Sequence, residues 1–262
     1  MSDCLLAATD VTRRFGGLTA VNGVSLALAR GQVHAVIGTN GAGKSTLINI
    51  LSGELAPSSG QVMLGGRDIT TWRQPQRARA GLGRSYQRST LFPELSVFEN
   101  CRLTAQAARQ RFWHWWRSAS DCRRSAELAH HALERTGLTD DATRPAGLLP
   151  HGRKRQLEIA MCLAGEPQVL LLDEPLAGMG PEETDRILEL LQSLKSGHAI
   201  LLVEHDMDAV FRIAETITVM VNGTAIASGA PAAIRANADV RTAYLGEDDR
   251  PGRTQGEPPC TH

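Results

Sequence analysis

The stretch VIGTNGAGKSTLINIL, residues 36–51, restricts the possible folds more than any other segment of the chain. An apolar run ends in a glycine-rich turn, and a helical pattern follows at once, with Leu47, Ile50 and Leu51 spaced to share one face. Gly38, Gly41, Gly43, Lys44 and Ser45 satisfy the spacing G-x-x-x-x-G-K-[ST]. Glycines let backbone N–H groups converge on an anion with no side chain in the way. The start of the helix adds a partial positive charge. Lys44 can neutralise β- and γ-phosphates, and Ser45 can offer its hydroxyl to Mg2+. An ordinary glycine-rich turn is the bland alternative; the strand before it and the helix after it favour a phosphate-binding loop.

The rest of the 262 residues fits an α/β protein. Residues from about 5 to 28 read as strands, and GQVMLGGRDI reads as a hairpin turning at Gly65-Gly66. From about 90 to 165 helical patterns dominate, broken at Gly137, Pro145 and Pro150. Then PQVLLLDEP, HAILLVEHD and TITVMVNG supply three apolar strands separated by helical patterns, which implies a mostly parallel sheet covered on both faces. The expected organisation is one domain over residues 4–246, with a helical subdomain inserted at about 90–165. The tail, 247–262, is rich in Pro, Gly and charge and is expected to be disordered.

Composition excludes several classes. Lys+Arg and Asp+Glu both number 28, so there is no basic excess for broad nucleic-acid binding, and none is expected. No apolar run approaches the ~18 residues of a membrane-spanning helix, and MSDCLLAATD is too short and acidic for a signal peptide. Cys4, Cys101, Cys122, Cys162 and Cys260 include no CxxC pair, which points to reduced thiols and away from a disulfide framework or zinc site. His130-His131 are adjacent on a helical pattern and read as surface residues.

Two further groups bear on chemistry. Asp173 and Glu174 close the buried run VLLLDEP. An acidic residue there can support Mg2+, and its neighbour can orient or deprotonate an attacking water. His205 ends LLVEHD, where a γ-phosphate contact competes with a purely structural reading; Gln87, in GRSYQRSTLFPELSVFEN, carries little signal by itself.

Taken in order, Phe15 before GGLTAV, GTNGAGKST, Gln87, HGRKRQLEIA, VLLLDEP and His205 resemble the ATP-binding subunits of ABC transporters, over nearly the whole chain to about Gly246. Within that family, RRFGGLTAVNGVSL and VMVNGTAIASGAPAAIRANADVRTAYLGE are most similar to the ATPases of branched-chain amino-acid importers. Urea and lipopolysaccharide transport ATPases look similar, and a soluble ABC-type ATPase acting on nucleic acid or ribosomes is the alternative of a different kind.

The resemblance implies a fold: a P-loop NTPase core with a mostly parallel sheet, an antiparallel β subdomain and an inserted helical subdomain. It implies ATP and Mg2+ as cofactors. Phe15 would stack on adenine, while Gly38, Thr39, Asn40, Gly41, Ala42, Gly43, Lys44, Ser45 and Thr46 cradle the triphosphate. Ser45, Gln87 and Asp173 would serve Mg2+, and Glu174, His205 and Gln87 the attack of water. His151 and Gly152 would meet the nucleotide of a second ATPase subunit. Transmembrane permeases, and through them a solute-binding protein, complete the assembly at the cytoplasmic face of the inner membrane.

Two positions depart from the family pattern. Pro150 stands where a serine is usual and offers neither hydroxyl nor N–H to a facing phosphate. A hydrogen bond to a charged group is worth about 1.5–3 kcal/mol, so a loss of ~10–100-fold follows. Gly180 stands where Asp or Asn is usual; Thr39, where proline is common, is harmless. An intact loop beside a weakened signature favours a heterodimer with unequal sites over a homodimer. Finally, RQRFWHWWRSASDCRRS, residues 109–125, holds three of the four tryptophans. Phe112, Trp113 and Trp116 can pack the insert's core, or the stretch can face a membrane partner or lipid headgroups.

Overall fold

The computed structural model describes residues 4–86, 90–109 and 118–245, without side-chain environments at 118–122 and 244–245. Gln87, the tryptophans of the 109–125 stretch and the tail from 246 lie outside the described residues.

The chain opens with β1 (Cys4–Phe15) and β2 (Leu18–Ala29), an antiparallel pair, followed by β3 (Val33–Gly38), the phosphate loop and α1 (Lys44–Ser52). β4 (Ser59–Leu64) and β5 (Arg67–Asp68) form the expected hairpin, with Gly65 and Gly66 both at positive φ. α2 (Gln74–Arg79) and β6 (Leu82–Arg84) lead to the helical insert: α3 (Val97–Arg109), α4 (Ser118–Arg135) and α5 (His151–Ala164). Then β7 (Val169–Asp173), α6 (Pro181–Lys195), β8 (Ala199–Val203), α7 (Met207–Ile213), β9 (Thr216–Val221) and β10 (Thr224–Gly229) alternate, before α8 (Pro231–Ala236).

Two sheets result. One is antiparallel, in the order β2-β1-β4-β5; the other runs β10-β9-β3-β8-β7-β6. Every pairing from β9 to β6 in the second sheet is parallel, and β10 returns antiparallel at its edge. All residues of β3, β7 and β8 are buried, which explains why their sequences are near-continuous apolar runs without alternation, broken only by His34 and by Asp173 at the end of β7. The pleat still divides them. Leu170, Leu172, Ile200 and Leu202 enter the core shared with the helical insert, whereas Val169, Leu171, Leu201 and Val203 enter the core shared with α1 and the antiparallel sheet.

Burial of α1 needs one further device. Arg77 is fully buried and donates to the carbonyls of Ile50 and Leu51, both at 2.8 Å, and of Thr70 and Trp72, both at 3.0 Å. It thereby satisfies carbonyls that the end of a helix leaves open. Burial pulls its guanidinium pKa down to about 10. His130 and His131 are exposed, as expected for surface residues, and the His130 ring lies 4.6 Å from that of Phe98.

Candidate functional site

Parallel strands bring their carboxyl ends to one edge of the sheet, where open α/β sheets hold ligands. Here β3 ends at Gly38, β7 at Asp173 and β8 at Val203, with Asp173 and Val36 both in register with Val203. The segments that follow, the phosphate loop, Glu174 and Glu204-His205, therefore start side by side although 130 or more positions separate the first from the second. A cleft of about 430 Å3 opens there. It is lined by Asn40, Gly41, Ala42, Gly43, Lys44, Ser45, Thr46 and Glu174, together with Leu18, Thr19 and Ala20 of β2 and Asn222-Gly223 of the β9–β10 turn.

The loop is held tightly from outside. A Cβ at Gly43, where φ is 97°, would sit 2.3 Å from the carbonyl oxygen of Ala20, and one at Gly38 would sit 2.2 Å from that of Met220. Gly38 and Thr39 do not line the cleft. Their carbonyls accept from the Lys44 ammonium at 2.7 and 3.1 Å, folding that side chain back along the loop. Burial lowers the Lys44 pKa, and the Glu174 and Asp173 carboxylates oppose the shift. A cation bonded to loop carbonyls, with two carboxylates near enough to act on it, is placed to receive a chain of phosphates.

Asp173 is 5% exposed and sits behind the cleft. Burial raises its pKa; Arg84, with Nη2 3.7 Å from Oδ2, opposes that shift and Glu174 adds to it. Glu174 adopts φ 48°, an uncommon conformation for a side-chain-bearing residue, with its N–H donating to the carbonyl of Val203 at 2.9 Å. Such local strain is found where a side chain must be aimed. His205 carries a side chain 59% exposed, its Nδ1 3.8 Å from Glu204. Glu204 is itself fully buried and accepts from the N–H groups of Leu176, at 2.8 Å, and His205, at 3.2 Å. Burial raises its pKa.

The donor set fits Mg2+. Ser45 and Asp173 carry hard oxygen donors, and among the described residues no cluster of three or more His, Cys, Asp or Glu forms a dedicated metal cage. Magnesium bound with phosphates needs only one or two protein oxygens.

Other expected residues lie elsewhere. Phe15 does not line the cleft; it stands at the β1–β2 hairpin, 46% exposed, with the Arg13 guanidinium 4.6 Å from its ring centroid. His151 and Gly152 open α5, away from the cleft, with Pro150 as N-cap and no side-chain cap bond. The Gly152 N–H donates to the Glu183 carboxylate at 3.3 Å. Gly180, the second departure, is the N-cap of α6.

Sequence reasoning missed several contributors. Leu18, Thr19, Ala20 and Asn222 carry no spacing motif, although the Asn-Gly pair ending VMVNG is a hairpin signal at the end of an apolar strand. Arg84 was also missed. It donates to Asn49 Oδ1 and Ser52 Oγ at 2.5 Å, and to Glu54 at 2.8 Å, so one guanidinium ties α1 to the strand beside Asp173.

Known proteins agree with this arrangement. A family model described as ABC transporter matches residues 21–177, and one for the branched-chain amino acid ATP-binding cassette transporter matches 226–250. The chain is 43% identical over 255 residues to the high-affinity branched-chain amino acid transport ATP-binding protein BraF of Pseudomonas aeruginosa, and 42% identical to LivG of Escherichia coli K12. Each match covers 94% of this chain and 100% of the relative. Among solved structures, a nucleotide-free ATP-binding cassette from an ABC transporter superposes with TM-score 0.82 at 28% identity, covering 92% of this chain and 98% of the other. The ADP conformation of the cassette MJ1267 gives 0.81 at 29%, covering 93% and 99%. The chain belongs to the ABC transporter family, as an ATP-binding subunit of the branched-chain amino acid branch.

Proposed function

We infer that this ATPase subunit powers the import of branched-chain amino acids, hydrolysing ATP in the cleft between the phosphate loop and Glu174. The observation that carries the reading is the full-length match to BraF and LivG, which extends through the separate C-terminal segment 226–250. Among its described residues, 226–245, none lines the nucleotide cleft, so its match speaks to the subfamily and not to ATP binding alone.

The chemistry follows from the placement of charge. Loop N–H groups and Lys44 bind the β- and γ-phosphates; Ser45 with Asp173 would hold Mg2+, which would supply neutralising charge for the phosphate oxygens. Glu174 orients the attacking water and accepts its proton. His205 steadies the γ-phosphate; Phe15, outside the cleft lining but paired across the β1–β2 hairpin with the cleft-lining Leu18, reaches the base from the rim. Gln87 links this site to the permease. In support of that last role, a cavity of about 360 Å3 is lined by Tyr86 and Thr90, the described residues that flank Gln87 in sequence, together with Arg84, Thr104, Met161 and Cys162. It is the docking place we assign to a cytoplasmic segment of the permease. Among the described residues no helix is long and apolar enough to cross a membrane, so attachment at the cytoplasmic face falls to such a partner.

His151 and Gly152 do not line this chain's own cleft, which suits a role at the nucleotide of a second ATPase subunit. With Pro150 in place of a hydroxyl donor, the partner's site is the weaker of the two, and the assembly is a heterodimer with unequal sites. Replacing Glu174 by Gln in this chain, and the matching Glu in the partner, tests this in the assembled transporter. The reading expects a larger loss of ATPase activity from Glu174→Gln; equal losses contradict it.

A further inference from the structure

The turn joining β9 to β10 places Asn222 and Gly223 in the left-handed region, at φ 48° and 82°. Asn-Gly is the pair that best accepts two consecutive positive φ values in a two-residue hairpin. The turn is pinned on both sides. Gly223 donates its N–H to the carbonyl of Ala42 in the phosphate loop at 3.0 Å, and its own carbonyl accepts from Asn22 at 2.8 Å. A Cβ on Gly223 would sit 2.9 Å from the Ala20 carbonyl oxygen. The turn is thus a fixed wall of the cleft.

The lining of the cleft falls into two chemical sets. Lys44, Ser45 and Glu174 suit phosphate. Leu18, 66% exposed, and Ala20 form an apolar wall suited to a nucleoside, and the turn packs against both Ala20 and Gly43 of the phosphate loop. Asn222 lines the cleft, is exposed, and makes no hydrogen bond through its amide among the described residues. A carboxamide offers donors and an acceptor together. Phosphate oxygens only accept, and the loop already supplies them with donors; a vicinal diol both donates and accepts. We propose that Asn222 is a nucleotide-binding residue whose amide hydrogen-bonds the ribose hydroxyls, so that the β9–β10 turn makes the site selective for ribonucleotides. The proposal rests on ATP occupying this cleft.

Glycine keeps the left-handed turn while removing the amide, so Asn222→Gly isolates the side chain. The test is calorimetric titration of the full chain, wild type and Asn222→Gly, with ATP, 2′,3′-dideoxy-ATP and inorganic tripolyphosphate. The variant is expected to bind ATP roughly three- to tenfold more weakly, the span of one or two ordinary hydrogen bonds. Its affinities for dideoxy-ATP and tripolyphosphate stay at wild-type values. Unchanged ATP affinity, or an equal loss for all three ligands, overturns the assignment of Asn222. Lys44→Ala run in parallel separates the two claims: lost affinity for all three ligands supports the cleft as the ATP site, and wild-type ATP affinity overturns that underlying reading.

Discussion

Glu174 carries the most specific claim at the scale of single residues. Its left-handed backbone holds the carboxylate at the mouth of the cleft, one position beyond the buried Asp173. Glu174→Gln keeps the shape and the turn but removes the proton acceptor, so hydrolysis is expected to fall at least ~100-fold, the lower range for loss of a positioned general base. ATP affinity should stay within a few-fold of wild type. Phosphate release and equilibrium ATP binding on the same preparation check both halves. Arg84 makes a second prediction. Its guanidinium is 7% exposed and joins Asn49, Ser52, Glu54 and Asp173. Arg84→Met leaves Asp173 buried without that cation and is expected to destabilise the chain by about 2–4 kcal/mol, measured by urea unfolding. The Lys44 and Glu174 positions were legible in the sequence because their chemistry is local: a loop and a strand end each carry their own spacing. Arg84 and Glu204 were not, because each acts across strands that only the sheet register brings together.

At the scale of elements, the start of α5 is the informative feature. Gly152 turns an N–H toward the Glu183 carboxylate of α6, and a Cβ at Gly152 would sit 2.6 Å from Glu183 Oε1. That carboxylate takes the position at a helix N-terminus that favours any anion. If a partner's phosphate takes the same N–H on closure, Glu183 competes with it. Glu183→Gln, built on Glu174→Gln to retain ATP, is then expected to raise the fraction of ATP-closed dimer a few-fold, read by light scattering after chromatography with the partner subunit; a lower fraction contradicts this. The elements themselves were largely readable. β3, β7 and β8 announced themselves as near-continuous apolar runs because both of their faces are covered. β6, three residues long, and the edge strand β10, half-buried with no apolar run, left no comparable pattern. Both exist because a more deeply buried neighbour templates them, β7 for one and β9 for the other.

At the scale of the whole molecule, two sheets and an inserted helical layer are joined through groups whose charge depends on pH. His34, 2% exposed in β3, lies between the carbonyl of Ala27 at 3.2 Å and the Thr218 hydroxyl at 2.8 Å, bridging both sheets. Burial lowers its pKa from 6.5. The unfolded chain therefore binds the proton more readily, and the stabilisation from a neutral His34 is complete above pH 6.5 and declines as pH falls below it. Thermal midpoints of wild type are expected to drop between pH 7.5 and 5.5, and the drop should be shallower in His34→Gln. The raised carboxyls of Glu204 and Asp173 act in the opposite sense and are common to both proteins, so the difference isolates His34. The central claim, that phosphate chemistry in this cleft drives transport, is tested most directly in proteoliposomes. The chain is assembled with its partner ATPase, permeases and binding protein, and uptake of labelled leucine is followed with ATP enclosed on the ATPase side. Uptake that requires ATP with the wild-type chain and falls at least tenfold with Glu174→Gln is the predicted result. Equal uptake by the two, or vigorous ATP hydrolysis by the wild-type assembly with no leucine movement, contradicts the account.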